Sequence, residues 1–269
     1  EEEVLVANTE GVFAEEKRVR TRLFVLAVAQ DGAEVQTGYS APGKSVGLEL
    51  FDLYPPKAVG EKAARQALTN LKARPAPAGT FPVVVGPGFG GVLFHEAVGH
   101  LLETTSVARK ASVLADKLGE VVASPAVTYI DEGRPTERTV LIEKGVLKSY
   151  MVDRLGHLLT GYPMTGSGRR QDYTFAPTSR MRNTFLAPGE ARVEDLFAGI
   201  AFGLYAKEMG GGQVKPGSGE YNFAVQEGYI IRKGRIEEPV RGAMLVGKGP
   251  ETLMRVVAVA QDLENAPGM

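Results

Sequence analysis

His95, Glu96 and His100 stand in one short segment, with the glutamate directly after the first histidine. A histidine pair beside a glutamate is typical of metallopeptidases, in which the imidazoles hold zinc and the carboxylate takes a proton from the attacking water. The spacing, however, is H-E-x-x-x-H rather than the H-E-x-x-H that places both imidazoles on one helix face. These residue types predict a metal site with a catalytic carboxylate, provided that the backbone brings them together.

The spacing of the two histidines determines what the backbone must do. In a regular α-helix, residues i and i+4 lie about 40° apart around the axis, whereas residues i and i+5 lie about 140° apart. His95 and His100 can therefore reach one metal only where the helix widens locally or begins to unwind, and Gly99 lowers the cost of either distortion. Glu103, on the same face as His100, is a candidate third ligand or a candidate acceptor of an imidazole N–H.

Two other interpretations of this region remain open. In the first, the two histidines are polar positions on a half-buried helix, and the glutamate is a solvated acid that the helix dipole favours. In the second, Gly86, Gly88 and Gly91 form the G-x-G-x-x-G pattern of a dinucleotide-binding oxidoreductase. A proline stands between the first two glycines, and no strand ending in an acid is evident about 20 residues further on. We therefore favour a structural role for these glycines, in a tight turn and in close packing of the histidine helix on the preceding strand.

Two further segments contain candidate substrate-binding residues. Arg169 and Arg170 follow a glycine-rich turn, where a guanidinium can bind a substrate carbonyl, a carboxylate or an oxyanion, or can pair with a nearby acid. Gly211, Gly212 and Tyr221 flank backbone that could accept an extended peptide as an added strand, although a tight turn entering a hairpin is the simpler interpretation. The remaining histidine is expected to be structural.

The composition excludes several other functions. With 269 residues, 43% hydrophobic and 23% charged, the chain is typical of a globular protein that can form two domains. A net charge of −1 argues against nucleic acid or an anionic membrane surface as a partner. The lack of cysteine excludes a disulfide framework, an iron–sulfur site and a thiolate nucleophile within these residues. No stretch approaches the ~20 apolar residues of a membrane span, and no secretory signal is visible.

The elements that must position these residues indicate an α+β fold with mixed and antiparallel sheets. A proline- and glycine-rich stretch separates a predicted domain at 1–74 from one at 79–269. A hairpin is predicted around the Asp31-Gly32 turn and a helix over 57–73. The strands of that hairpin are predicted at 19–30 and 33–39. The other predicted strands are 3–8, 81–85, 126–130, 139–143, 146–150, 221–232 and 240–246. The other predicted helices are one that begins near 91 and four that cover about 106–120, 151–160, 193–205 and 250–263.

Seven motifs along the chain resemble those of the TldD/PmbA peptidases, in the order of that family, and specifically of its TldD type of subunit. They are Gly-Phe-Gly-Gly-Val-Leu-Phe-His-Glu-Ala-Val-Gly-His (88–100), Ala-Asp-Lys-Leu-Gly-Glu (115–120), Thr-Gly-Ser-Gly-Arg-Arg (165–170), Arg-Met-Arg-Asn-Thr (180–184), Gly-Gly-Gly-Gln-Val (210–214), Glu-Gly-Tyr-Ile-Ile (227–231) and Pro-Val-Arg-Gly-Ala (239–243). Seven collinear matches are far more specific than any one of them.

The resemblance implies a cytoplasmic zinc peptidase, with His95 and His100 as zinc ligands and Glu96 as the catalytic base. It implies unfolded or extended peptides as substrates, and a PmbA/TldE-like partner subunit in a heterodimer, or else a homodimer. The alternative function is a peptide-binding or assembly subunit that holds no metal.

The resemblance also implies parts that this sequence lacks. Family members carry a further N-terminal domain, and a longer glycine-containing loop where Ile130 meets Asp131-Glu132-Gly133. The family's third zinc ligand is a cysteine just after a segment similar to 265–269. We therefore expect this sequence to be part of a longer chain and, as printed, to hold zinc weakly or not at all.

Overall fold

A computed structural model describes residues 1–9, 11–132 and 137–264. The described chain forms two units, of which the first groups Glu1–Pro75 with Glu238–Arg241 and the second holds the rest. Helices occur together with antiparallel and mixed sheets, which confirms the predicted α+β class. Among the described residues, no helix is long and apolar enough to cross a bilayer.

The first unit combines hairpins with one long helix. Its elements are β1 (Glu2–Ala7), β2 (Phe13–Arg18), β3 (Thr21–Arg22), β4 (Val25–Asp31), β5 (Glu34–Ser40), β6 (Gly43–Lys44), α1 (Leu50–Leu53), α2 (Pro56–Lys72) and β7 (Arg74–Pro75). The predicted hairpin is formed by β4 and β5, and the predicted helix over 57–73 is α2. The first residue of this helix is a proline, which has no backbone N–H. It therefore leaves no donor without a partner in the first turn.

The second unit contains the histidine segment. Its elements are β8 (Val83–Val85), α3 (Val92–Ala97), α4 (Thr104–Val107), β9 (Tyr129–Glu132), β10 (Thr139–Glu143), β11 (Val146–Leu147), α5 (Arg154–Thr160), β12 (Gly168–Arg169), β13 (Thr178–Ser179), β14 (Asn183–Leu186), α6 (Asp195–Ala198), β15 (Phe202–Lys215), β16 (Glu220–Arg232), the beginning of β17 (Arg235–Arg241), β18 (Met244–Lys248) and α7 (Gly249–Met254). Strands β17, β16, β15 and β8 lie side by side, and β18 pairs with β16. A second sheet has the order β11-β10-β9-β14.

Two helices predicted in the second unit are wrong. In both, backbone hydrogen bonds to residues distant in sequence outweigh the local helical spacing of apolar residues. The helix predicted over 193–205 is only the single turn α6, and Phe202 begins the long strand β15, which pairs with both β16 and β8. The helix predicted over 250–263 ends at Met254, since the backbone after it forms hydrogen bonds with residues 189–191.

Two further predictions need correction. The helical interpretation of 106–120 fails after α4, because Lys110 and Asp116 adopt left-handed backbone angles that a helix does not contain. The strand predicted over 19–30 is divided into β3 and β4, and the preceding strand β2 was not predicted. Nearly every side chain of β2 is exposed, so its sequence lacks the alternation of apolar and polar residues that indicates a strand.

The helix predicted to begin near Gly91 is interrupted inside the histidine segment. α3 ends at Ala97, Val98 has φ −130° and ψ −52°, and a 3-10 turn follows over Gly99–Leu102. His95 therefore belongs to α3, whereas His100 belongs to the 3-10 turn. The helix therefore unwinds between the two histidines instead of widening. The break removes the angle of about 140° around the axis that a continuous helix would impose between His95 and His100.

The interrupted helix is embedded in the core of the second unit. Ala97 and Val98 on one side of His100, and Leu101 and Leu102 on the other, are buried in one apolar cluster. Close packing of these side chains leaves little freedom to the backbone on either side of the break. The direction of both imidazoles is therefore determined by the core.

Gly99 has a different role from the one that its sequence position suggests. Val98, and not Gly99, carries the non-helical backbone angles. A Cβ at Gly99 would lie 2.0 Å from Met181 Sδ and 3.1 Å from the hydroxyl oxygen of Tyr129. The glycine is required because the turn packs directly against these two side chains.

We expect Gly99→Ala to lower the free energy of unfolding by about 1–3 kcal/mol, because the added methyl group overpacks a filled site. Gly91→Ala is the matched control, since a Cβ there meets nothing within 4 Å, and it should leave stability unchanged or slightly higher. Urea unfolding followed by circular dichroism measures both variants. Equal stability of the two would contradict the packing role of Gly99.

Candidate metal centre

The break after α3 brings three side chains with metal-binding groups together. Ligand atoms of His95, Glu96 and His100 all lie within 4.8 Å of one another. The two imidazole rings have centroids 5.2 Å apart and planes inclined at 86°. Two imidazoles and a carboxylate form a donor set that suits zinc, so the residues present fit this metal.

His100 lies between two carboxylates. Its Nε2 is 3.5 Å from Oε2 of Glu96, and its Nδ1 is 3.2 Å from Oε2 of Glu103. The two glutamates therefore face opposite edges of the imidazole. Glu103 is not one of the three residues whose ligand atoms lie close enough together to hold one metal ion.

Glu103 is a buried side chain with several partners. Its Oε2 also lies 3.4 Å from Nη1 of Arg180, and its Oε1 accepts a hydrogen bond from the backbone N–H of Met181 at 3.3 Å. The backbone is fixed as well, because the N–H of Thr104 donates to the carbonyl oxygen of Met151 at 3.0 Å. The carboxylate is thus held in place by contacts from both its side chain and its backbone.

The surroundings keep His95 in its neutral form. Its pKa is lowered to about 4, mainly by burial and then by the charge of His100, with smaller contributions from Arg169 and Arg180, while Glu103 opposes the shift. A neutral imidazole has a lone pair on one nitrogen and is the form that binds a metal. At pH 7, His95 is therefore ready to act as a ligand.

A cavity of about 310 Å³ opens beside Glu96 and His100. It is lined by Glu96, His100, Glu103, Thr105, Ser106, Thr178, Arg180, Val214 and Pro216. The wall thus combines carboxylates, hydroxyl groups, a guanidinium and apolar side chains. Such a mixture can bind both the polar backbone and the side chains of a peptide.

One of the two predicted arginines lies near the metal-binding cluster. Both arginines are exposed and neither lines the cavity, but Arg169 contributes to the electrostatic field at His95. The turn that carries them is anchored by Ser167, whose hydroxyl donates to Oδ2 of Asp131 at 3.4 Å. Burial raises the pKa of this Asp131 carboxyl, and the bonds from its neighbours oppose that shift.

The predicted residues of the glycine-rich strand lie in a hairpin. Gly211 and Gly212 belong to β15 and Tyr221 to β16, where Tyr221 pairs with Val214. The hairpin interpretation of this segment is therefore confirmed. The strand lines the cavity through Val214 rather than through any of the three predicted residues.

Sequence reasoning did not select six of the lining residues, which are the polar Thr105, Ser106, Thr178 and Arg180 and the apolar Val214 and Pro216. Arg180 begins one of the family-like motifs, but the motif alone does not say what the arginine contacts. Thr105 and Ser106 follow Glu103 almost directly, so their closeness in sequence to a candidate site residue could have indicated that they line the site. Thr178 is distant in sequence, and only the tertiary structure brings its strand β13 to the site.

Two other features of the sequence have structural roles. A Cβ at Gly86 would lie 2.4 Å from the carbonyl oxygen of Lys207, so this glycine lets β8 approach β15 and is explained without a nucleotide. His157, as expected, is bound within its own unit, with Nδ1 at 2.7 Å from the carbonyl oxygen of Tyr162. The expectations concerning 265–269 and the loop after Glu132 fall on residues outside the described part of the chain.

Two family models match the chain. The model of the PmbA/TldA metallopeptidase C-terminal domain matches residues 78–269, and the model of the PmbA/TldA metallopeptidase central domain matches residues 1–71. Together they cover nearly the whole sequence.

Curated relatives have similar sequences. A metalloprotease TldD homolog from Haemophilus influenzae is 39% identical over 286 residues, which cover 98% of this chain and 59% of that protein. A zinc metalloprotease TldD homolog from Saccharolobus solfataricus is 31% identical over 261 residues, which cover 91% of this chain and 58% of that protein. The chain therefore spans about three-fifths of the length of these relatives.

Solved structures share the fold. A protein from Thermotoga maritima, described as a candidate modulator of a DNA gyrase, has a TM-score of 0.81 and 26% identity, covering 98% of this chain and 64% of that one. TldE from Thermococcus kodakarensis has a TM-score of 0.76 at 20% identity, covering 96% and 61%, and this likeness concerns the fold alone. Since the two family models match along nearly its whole length, the chain belongs to the PmbA/TldD family of metallopeptidases.

Proposed function

We propose that this chain contains the zinc-binding and catalytic residues of a zinc-dependent peptidase. The observation that carries the proposal is the meeting of His95, Glu96 and His100 beside a cavity, although their spacing would separate them in a continuous helix. Membership of a metallopeptidase family supports it, as does the description of one relative as a zinc metalloprotease.

The three residues have distinct roles in this proposal. His95 and His100 hold the metal through neutral imidazoles. Zinc, when bound there, supplies a Lewis acid that acidifies water and polarises a peptide carbonyl. The Glu96 carboxylate, which lines the cavity, accepts the proton of the attacking water and delivers it to the leaving amine.

The proposed substrate is an unfolded or extended peptide. Such a chain presents unpaired N–H and C=O groups, which the hydroxyl groups of Thr105 and Thr178 and the guanidiniums of Arg169 and Arg180 can bind. The family resemblance adds a PmbA/TldE-like partner or a second copy of the chain, and a cytoplasmic location. The proline- and glycine-rich stretch adds a domain boundary between residues 74 and 79.

The alternative is a peptide-binding or assembly subunit in which a partner performs catalysis. The two functions differ in one measurable property, which is the metal content of the protein. Stoichiometric zinc supports the peptidase, whereas no zinc at a saturating concentration of the metal supports the alternative.

We expect His95→Ala and His100→Ala each to lose zinc, since removal of one imidazole leaves too few ligands to retain the metal. His157→Ala is the matched control, because that imidazole is bound to the Tyr162 carbonyl and not to the cluster. Elemental analysis of the intact protein after dialysis measures the bound zinc. Equal zinc content in all three variants would contradict the assignment.

We expect Glu96→Gln to reduce peptide cleavage by at least about 10²-fold, because the amide cannot accept the proton of the attacking water. Zinc content should be retained, since both imidazoles remain. Glu120→Gln is the control, because Glu120 is an exposed carboxylate paired with Lys117. Hydrolysis of an unfolded, fluorescently quenched peptide measures the rate. Full activity of Glu96→Gln in a preparation free of contaminating proteases would exclude Glu96 as the base.

A further inference from the structure

The carboxylate of Glu103 contacts His100 from the side opposite to the proposed base. Glu103 Oε2 lies 3.2 Å from Nδ1 of His100, whereas Glu96 Oε2 lies 3.5 Å from Nε2 of the same ring. In a neutral imidazole, one nitrogen carries a hydrogen and the other has a lone pair. The hydrogen position therefore decides which edge of His100 is able to bind a metal.

Hydrogen-bond donors surround Glu103. The N–H of Met181 donates to Oε1 and Nη1 of Arg180 donates to Oε2, and the side chain is only 5% exposed. An ionised carboxylate can accept hydrogen bonds but not donate them. At 3.2 Å from Glu103 Oε2, a hydrogen on Nδ1 of His100 faces an acceptor, whereas a lone pair there would face another lone pair. This contact favours the tautomer in which Nδ1 carries the hydrogen and Nε2 keeps its lone pair.

We propose that Glu103 is a positioning residue, which holds His100 in the tautomer with its hydrogen on Nδ1 and directs Nε2 toward the metal. The proposal rests on the zinc site proposed above and decides between the two roles that the sequence left open for Glu103. Glu103 faces the Nδ1 edge of the ring and is not among the residues whose ligand atoms meet, so it acts on the ligand rather than as a ligand. Arg180 and the pairing of the Glu103 backbone with Met151 keep the carboxylate in place.

The tautomer of His100 can be measured directly. Because the chain contains three histidines, their imidazole nitrogens can be resolved and assigned in long-range proton–nitrogen NMR spectra of the intact, metal-free protein at a pH of about 8, above the ordinary histidine pKa. We expect His100 to carry its hydrogen on Nδ1. His157 is an internal reference, because its Nδ1 faces the carbonyl oxygen of Tyr162, which can only accept. A wild-type His100 with its hydrogen on Nε2 would overturn the proposal without any variant.

Substitution of the carboxylate tests its effect on the metal. Glu103→Gln and Glu103→Ala should shift His100 toward the other tautomer and weaken zinc binding about 10- to 100-fold, as expected when a histidine ligand loses its orienting carboxylate. Competition with a chromophoric chelator measures the dissociation constant. Glu227→Gln is the matched control, since it removes another buried carboxylate of the same unit, whose partners are Lys207 at 2.6 Å and Tyr229 at 2.7 Å. Glu227→Gln should change neither the tautomer of His100 nor the dissociation constant of zinc.

Arg180→Gln removes a hydrogen-bond donor to Glu103 and so tests the effect of Glu103 on His100 without altering either residue. This variant keeps the proposal testable if the Glu103 variants fail to fold. It should shift the tautomer and weaken zinc binding in the same direction, by a smaller factor. Folded Glu103 variants with the wild-type tautomer and wild-type zinc affinity would refute the proposal. A wild-type protein that binds no zinc, but in which the His100 tautomer depends on Glu103, would instead refute the proposed function and leave the positioning role intact.

Discussion

The break in the backbone at Val98 determines where both imidazoles point, and the rest of the candidate metal centre depends on it. In a continuous helix the five-residue spacing of His95 and His100 would send their side chains in different directions. With α3 ending at Ala97 and a 3-10 turn following, the two rings come within 5.2 Å between centroids. Apolar side chains on both sides of the break are buried in one cluster, so core packing maintains the distortion.

The electrostatic arrangement around His100 follows from that geometry. One edge of its ring faces the half-buried Glu96 beside the cavity, and the other faces the buried Glu103. Two carboxylates with similar distances to one imidazole thus have different environments. The half-buried Glu96 lines the cavity, whereas the buried Glu103 is already engaged with Arg180 and a backbone N–H. Differences of this kind are how proteins give chemically identical groups separate tasks.

The cavity wall is assembled from parts of the chain that are far apart in sequence. The histidine segment supplies the carboxylates, β13 and the residue after it supply Thr178 and Arg180, and the end of β15 supplies Val214. The buried side chains of Asp131 and Ser167 anchor the turn that carries Arg169. Long-range hydrogen bonds and strand pairing, rather than local sequence, therefore define the space in which a substrate would lie.

The sequence by itself determined the fold class, the α2 helix, the hairpins and the residues of the candidate metal centre, because periodic patterns and side-chain chemistry are local properties. It did not determine the strand β15, whose first residues form a helical pattern but pair with β16 and β8. Nor did it show that Gly99 serves close packing against Met181, or that Arg180 contacts Glu103. Only the tertiary structure decided these points, because each depends on a partner that lies many residues away along the chain.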